Sequence, residues 1–323
     1  MSQTQIVCTI LLALWMIFII AWERISPYRK GLPFFREGLW VDLFWYTLVQ
    51  SFFLGIIISG YMIGPAQKFL TEHTGWASFS FVVWFKEWSI TAQLIFFLIT
   101  HDLYIYLFHR FQHSSPLFWR LHEAHHSDKQ VDFLAGSRSH ALEILINQSI
   151  EYAPMVFLGA HPEVPVIKGL LDAVFGTFIH ANIDVKLGKW KYFFNSPELH
   201  LWHHANTLEV FYANFSTKFA IWDHLFGTVY DPGHKPGDRP EDWGLYYDFP
   251  KDYFLQHAFS VKRFDEKSLL KYKWFRVYYY SRPNFLKWVG KQIGYAKPEN
   301  QGKKLSVTET QDAMHMEETA SIN

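Results

Sequence analysis

Apolar residues fall along this chain in a few long runs separated by short polar stretches, and the lengths of those runs predict helices that cross a bilayer. Ile6 to Trp22 reads IVCTILLALWMIFIIAW, long enough to traverse a hydrocarbon layer of about 30 Å at about 1.5 Å per residue. Met1 to Gln5 contains no basic residue and no small-residue cleavage site follows Trp22, so the segment reads as a retained helix rather than a signal peptide. A second apolar stretch runs from Leu39 to about Ile63, with Asp42 near its start. A third begins near Trp88 and continues through TAQLIFFLITHDLYIYLFHR to Arg110. Between them, Gly64 to Lys86 is mixed and aromatic-rich, the composition expected of a connection lying at the outer membrane interface. From Ala141 to Ile179 two shorter apolar patches flank the turn-forming GAHPEVP at Gly159 to Pro165. They predict a helical hairpin, spanning or re-entrant, with Glu143, Glu151 and Asp172 turned towards protein rather than lipid.

The apolar runs stop after His204. Asp231 to Trp243, DPGHKPGDRPEDW, is a turn-rich loop, and the chain from Lys297 onward lacks periodicity and is polar, as a disordered tail would be. The division predicted is an N-terminal helix with a basic loop over 1–38, one membrane domain over 39–230, a cap over 231–296 and the tail over 297–323. Arg24, Arg29, Lys30 and Arg36 follow the first run, which places that connection and the cap in the cytosol by the bias of basic residues to the inner face. The fold class is therefore all-α, a polytopic integral membrane helical bundle with a cytosolic histidine-rich metal-binding cap.

Composition agrees with this picture and narrows the chemistry. The 323 residues are 50% hydrophobic and 19% aromatic, with a formal net charge of zero, so a membrane class is favoured and a nucleic-acid partner has no electrostatic support. Cys8 is the single cysteine, which excludes an intrachain disulfide and a thiolate zinc site. Any metal must be held by nitrogen and oxygen. Histidine is the outlier at 17 residues.

Three short motifs gather eight of them: His109-Arg-Phe-Gln-His113, His122-Glu-Ala-His125-His126 and His200-Leu-Trp-His203-His204. Residues three and four apart share one helix face, so each motif presents imidazoles one turn apart. Eight nitrogens exceed what one transition metal takes, and two metals are the natural count. His180, in FIHANID at the end of the last apolar run, is the candidate ninth ligand. Asp102 lies seven residues before His109 and so on almost the same helix face. It is expected to accept the second ring N–H of a ligand histidine, which would fix the tautomer and raise the ring's basicity. Glu123 is a candidate for the same task or for a solvated face. His101, His140 and His224 have no spacing that ties them to a motif, and His73, His161, His234, His257 and His315 read as packing residues.

The run HDLYIYLFHRFQH, then FWRLHEAHHSD, then HLWHHAN and the later WDHLFGT at Trp222 to Thr228 resemble the fatty acid hydroxylase and sterol desaturase superfamily over about 39–230. FIHAN is similar to the alkylglycerol-monooxygenase-like branch more than to the sterol methyl oxidases. The resemblance implies an integral membrane, iron-dependent oxygenase with its ligands on the cytosolic side, in a bacterial inner membrane or the endoplasmic reticulum. It implies that His109, His113, His122, His125, His126, His200, His203 and His204 ligate two non-haem irons, with His180 similar to an extra family histidine. Where some family hydroxylases carry a further histidine, this chain has Asp184. The implied activity is hydroxylation or desaturation of a lipid such as a fatty acyl chain, sterol or ether lipid, using O2; both begin with the same hydrogen abstraction, and hydroxylation is the favoured outcome. No nicotinamide fingerprint or phosphate-cradling glycine loop is present, so electrons are expected from outside the chain, from a cytochrome, a ferredoxin or a pterin. The competing reading is a haem- or metal-carrying membrane protein without turnover, which would place histidine pairs on separate spans at matching depth. A metal transporter would need ligands near the middle of several spans, where this sequence offers Glu151 and Asp172.

Overall fold

The computed structural model describes residues 2–232, 239–240 and 242–273. The predicted tail, the part of the predicted cap beyond 273, and His234 and His315 lie outside the described residues. Among the described residues the chain is helical, with two isolated bridges, Pro27 to Ile183 and Ala205 to Trp243, in place of any strand.

Helix α1, Gln3–Ile25, starts at a capping box in which the Ser2 hydroxyl accepts from Gln5 N while the Gln5 side chain accepts from Ser2 N. That arrangement satisfies two N-terminal donors that the helix cannot pair internally. Leu14 and Ile17 are exposed at 57% and 67%, an apolar surface of the kind a membrane-crossing helix turns to lipid. The opposite side packs on a later helix through Trp15 Nε1, which donates to Thr177 Oγ1 at 2.8 Å.

Helix α2, Val41–Thr74, is one continuous 34-residue rod, longer than the Leu39–Ile63 stretch expected. It is wound with wide i→i+5 turns over Val41–Gln50 and Ile57–Ile63. The second wide turn explains the extra length. Gly64 N bonds to Ser59 O across five residues, and Pro65, which has no N–H to give, follows without breaking the rod. The chain turns at Gly75 with φ +63° into the short helix α3, Ser80–Lys86.

Helix α4, Ile90–Ser114, is capped by the Ser89 hydroxyl. Pro116 then starts helix α5, Pro116–His126, and the extended Ser115 makes the corner, the conformation that a residue before proline favours. The predicted hairpin is present as α6, Ala141–Phe157, and α7, Glu163–His180, with Gly159 in the left-handed region between them at φ +66°. Helix α6 packs on α2 through Leu54, Ile58 and Ile63. Three short helices complete the described chain: α8, Pro197–His203, α9, Ile221–Phe226, and α10, Tyr253–Val261. Helix α10, drawn from the predicted cap, folds back on the bundle, where Tyr253 OH donates to Gln50 Oε1 at 2.7 Å. Among the described residues three helices, α1, α2 and α4, are long and apolar enough to cross a membrane.

Candidate metal centre

The three histidine motifs meet because each closes a helix at the same end of the bundle. HxxxH occupies the last turns of α4, HxxHH the end of α5 and HxxHH the end of α8, while His180 is the last residue of α7. All nine rings are buried. They sort into two groups: His109, His113, His122, His126 and His203, and His125, His180, His200 and His204. Within each group the ligand-capable atoms lie within 4.8 Å of one another.

The hydrogen bonds on the far side of the rings determine what the near side can do. Nδ1 of His109 donates to Phe215 O at 2.8 Å, Nδ1 of His203 to Ala213 O at 2.7 Å, Nδ1 of His125 to Arg138 O at 3.0 Å and Nδ1 of His180 to Gly176 O at 2.7 Å. A carbonyl can only accept, so these rings carry the proton on Nδ1 and leave a lone pair on Nε2. Nδ1 of His122 faces Glu143 Oε1 at 3.0 Å. Nε2 of His109, His122, His126 and His203 is buried without any partner, and buried polar atoms are seldom left so. In the second group, His200 Nε2 lies 3.0 Å from His180 Nε2 and 3.2 Å from His204 Nε2. This donor set, neutral imidazole nitrogens converging in two groups, fits a pair of transition-metal ions such as iron.

Electrostatics agree. Burial holds His122, His125, His126, His200, His203 and His204 well below the usual imidazole value of 6.5, and neighbouring imidazoles push in the same direction. The rings are therefore unprotonated at neutral pH, the state a metal requires. Aromatic side chains close the site. The Trp119 ring centroid lies 5.0 Å from that of His113 and the Phe215 centroid 5.5 Å from that of His109.

The other candidates behave differently. Asp102 does not take a ring N–H: its oxygens accept from Thr217 Oγ1, Lys218 N, Phe219 N and Trp222 Nε1 at 2.8 to 3.0 Å. That corrects the expectation drawn from its helix face. The face is right, but the loop over 214–219 reaches the carboxylate before any ring does. The carboxylate beside a motif histidine is instead Glu143, on α6, next to His122. Glu123 is fully buried and pairs with Arg263. His101 sits with Glu151 and Asp172 in a third potential metal group, yet its centre is filled by the Lys168 ammonium, 2.9 Å from His101 Nδ1 and 2.7 Å from Asp172 Oδ2. His140 caps α6 through Nδ1, and its ring packs tilted against that of His257 with centroids 4.4 Å apart. His224 packs on Tyr192, and Asp184 pairs with Arg239 at 2.6 Å. The carbonyl partners were invisible in the sequence because a backbone oxygen has no residue signature.

The fatty acid hydroxylase family profile matches residues 94–228, the segment from α4 through Thr228 that carries all nine histidines. An ornithine lipid hydroxylase of Rhizobium tropici is 28% identical over 78% of this chain and 75% of its own length. The alkylglycerol monooxygenase of Caenorhabditis elegans is 27% identical over 70% of this chain and 48% of its own length. Methylsterol monooxygenase 1 of Rattus norvegicus is 26% identical over 44% of this chain and 48% of its own. The chain thus spans about half the length of the two monooxygenases. No solved structure matches.

Proposed function

We propose, for a chain whose residues 94–228 match the fatty acid hydroxylase family profile, a membrane-embedded, O2-dependent di-iron lipid hydroxylase. The observation that carries this reading is the convergence of nine buried imidazoles in two groups, with His109, His122, His125, His180 and His203 each held at Nδ1 by an acceptor that leaves the Nε2 lone pair for a metal. His109, His113, His122, His126 and His203 would hold one iron, and His125, His180, His200 and His204 the other. Bound there, two irons supply the reduction of O2 to an oxidant able to attack an unactivated C–H bond. In balance, substrate, O2, two electrons and two protons give the hydroxylated lipid and water.

The chain's own part is geometry and exclusion. Carbonyls of Ala213, Phe215, Arg138 and Gly176 hold four rings in one tautomer and one orientation. Trp119, Phe211 and Phe215 line the rings and keep bulk water away, which protects an oxidant from unproductive reduction. A lipid would approach from the bilayer, along the apolar surfaces that α1, α2 and α4 expose. Electrons would come from an external donor, a small redox protein or a pterin.

The centre is assigned to the cytosolic side. Tyr28 N donates to Asn182 O at 3.1 Å, so the connection bearing Arg24 and Arg29 lies against the segment that follows His180. Basic connections favour the inner face.

The test is expression of the chain in a lipid-producing host under 18O2, with lipids compared against those from a His125→Ala, His203→Ala double variant. A lipid carrying one 18O atom, dependent on both histidines, is the expected result. Two irons per purified chain without any oxygenated product would replace hydroxylation with a metal-carrying role.

A further inference from the structure

One loop, 213–219, supplies the carbonyls that orient His203 and His109, and two buried carboxylates hold that loop. Asp223, 3% exposed, accepts from Phe215 N at 3.0 Å, Ser216 N at 2.9 Å and Thr228 Oγ1 at 2.7 Å. Asp102, fully buried on α4, accepts from Thr217 Oγ1, Lys218 N and Phe219 N just beyond. Asn214 between the two carbonyls is the one non-glycine residue with positive φ, +56°, among the described residues. Its amide group holds that conformation by donating to Leu199 O and Tyr230 O.

The connectivity is more specific than a clamp. Ser216 N–H and Phe215 C=O belong to a single peptide group. Asp223 Oδ2 accepts from its N–H end at 2.9 Å, and its C=O end accepts from His109 Nδ1 at 2.8 Å. An anionic acceptor on one end of an amide polarises the whole group and raises negative charge on the oxygen at the other end. A stronger acceptor at Nδ1 makes Nε2 a better donor to a metal. The second carbonyl is tied in as well, since Asn214 N, in the peptide group of Ala213 O, donates to Thr228 O at 2.8 Å.

We propose that Asp223 is a positioning residue that acts on His109 through the Phe215–Ser216 peptide, with Asp102 anchoring the far half of the same loop. The charge of Asp223 sets the donor strength of the five-histidine position. This rests on the reading above that these histidines hold metal.

The experiment uses metal-free full-length protein in detergent, titrated with Co2+ as a spectroscopic probe, with thermal unfolding followed in parallel. Asp223→Asn keeps the side chain's shape and removes its charge; it is expected to weaken Co2+ binding at one position about 10- to 100-fold and to shift the visible ligand-field bands. Asp102→Asn is expected to weaken the same position less. Glu37→Gln, which removes an exposed carboxylate paired with Lys251, is the control and should leave the bands in place. A folded Asp223→Asn protein with wild-type affinity and bands overturns the proposal. Should that variant not fold, Thr228→Val removes one bond to Asp223 and is expected to shift the bands in the same direction; unchanged bands overturn the proposal equally. Wild-type protein that binds no Co2+ overturns the metal reading itself, a different failure from identical binding by wild type and variants.

Discussion

His180 and His125 face each other Nε2 to Nε2 at 3.2 Å, while each ring gives its Nδ1 proton to a carbonyl, Gly176 O and Arg138 O. Two lone pairs at that separation repel, and no hydrogen bond between them can relieve the repulsion. A cation shared by both does. Metal is therefore expected to stabilise the fold itself, by about 2.7 kcal/mol when free metal stands at 100 times its dissociation constant. Thermal unfolding of iron-loaded and chelator-stripped protein checks this, and equal midpoints would contradict it.

Gly136 makes a sharper claim about the same ring. A Cβ at that position would lie 2.5 Å from His180 Nδ1 and 2.8 Å from its Cε1, closer than atoms can pack. Gly136→Ala must displace His180, so the variant is expected to lose affinity at the four-histidine group while the five-histidine group keeps its metal. Metal content by mass spectrometry should fall from about two to about one per chain.

How much of this was legible beforehand follows the physics of each feature. The helical spans, the hairpin and the convergence of the eight motif histidines are readable because hydropathy and three- and four-residue spacings are periodic signals, while His180 is read from its place at the end of the last apolar run. The run-on of α2 past Gly64 is not, since Pro65 argues for a break and only the wide turn over Ile57–Ile63 removes the conflict. The spacing puts Asp102 on the same face as His109, yet its carboxylate bonds the loop over 217–219 and Trp222 rather than a ring. Spacing along one helix says where a side chain points and nothing about which loop arrives there.

Glu143 is the carboxylate that faces a ring, 3.0 Å from His122 Nδ1. A carboxylate in that position fixes the tautomer and raises ligand basicity, and losing it commonly costs 10- to 100-fold in metal affinity. Glu143→Gln is expected to weaken metal at the five-histidine group by about that factor. Chelator competition measures it, and unchanged affinity would assign Glu143 a packing role only.

Acid should unfold the metal-free protein early. His122, His125, His126, His200, His203 and His204 are held well below 6.5 by burial, so below about pH 6.5 the unfolded chain binds protons that the folded chain refuses. Stability then rises with pH through this window and falls as pH drops, by up to about 1.4 kcal/mol per pH unit for each such ring. Above pH 6.5 both states are neutral and these rings contribute no slope. Unfolding midpoints measured between pH 8 and pH 5 should be flat and then fall steeply; a midpoint constant down to pH 5 would contradict the buried, neutral rings.

Lys168 carries a different kind of cost. Its side chain is fully buried and bonds Glu151, Asp172 at 2.7 Å and His101 Nδ1 at 2.9 Å, and Lys218 Nζ reaches the other Asp172 oxygen at 2.8 Å. Between apolar helices these charges are tolerable only as a compensated set. Lys168→Met keeps the length and removes the charge, leaving Glu151 with no cation at contact distance. Breaking a buried pair from one side costs about 3–5 kcal/mol. The double variant Lys168→Met, Glu151→Gln removes both members of the pair and should recover most of that loss. A thermal-unfolding cycle of the wild type, the two single variants and the double variant measures the coupling. Additive losses would mean that Lys168 and Glu151 are each held by other groups and that the ammonium is not the centre of the network.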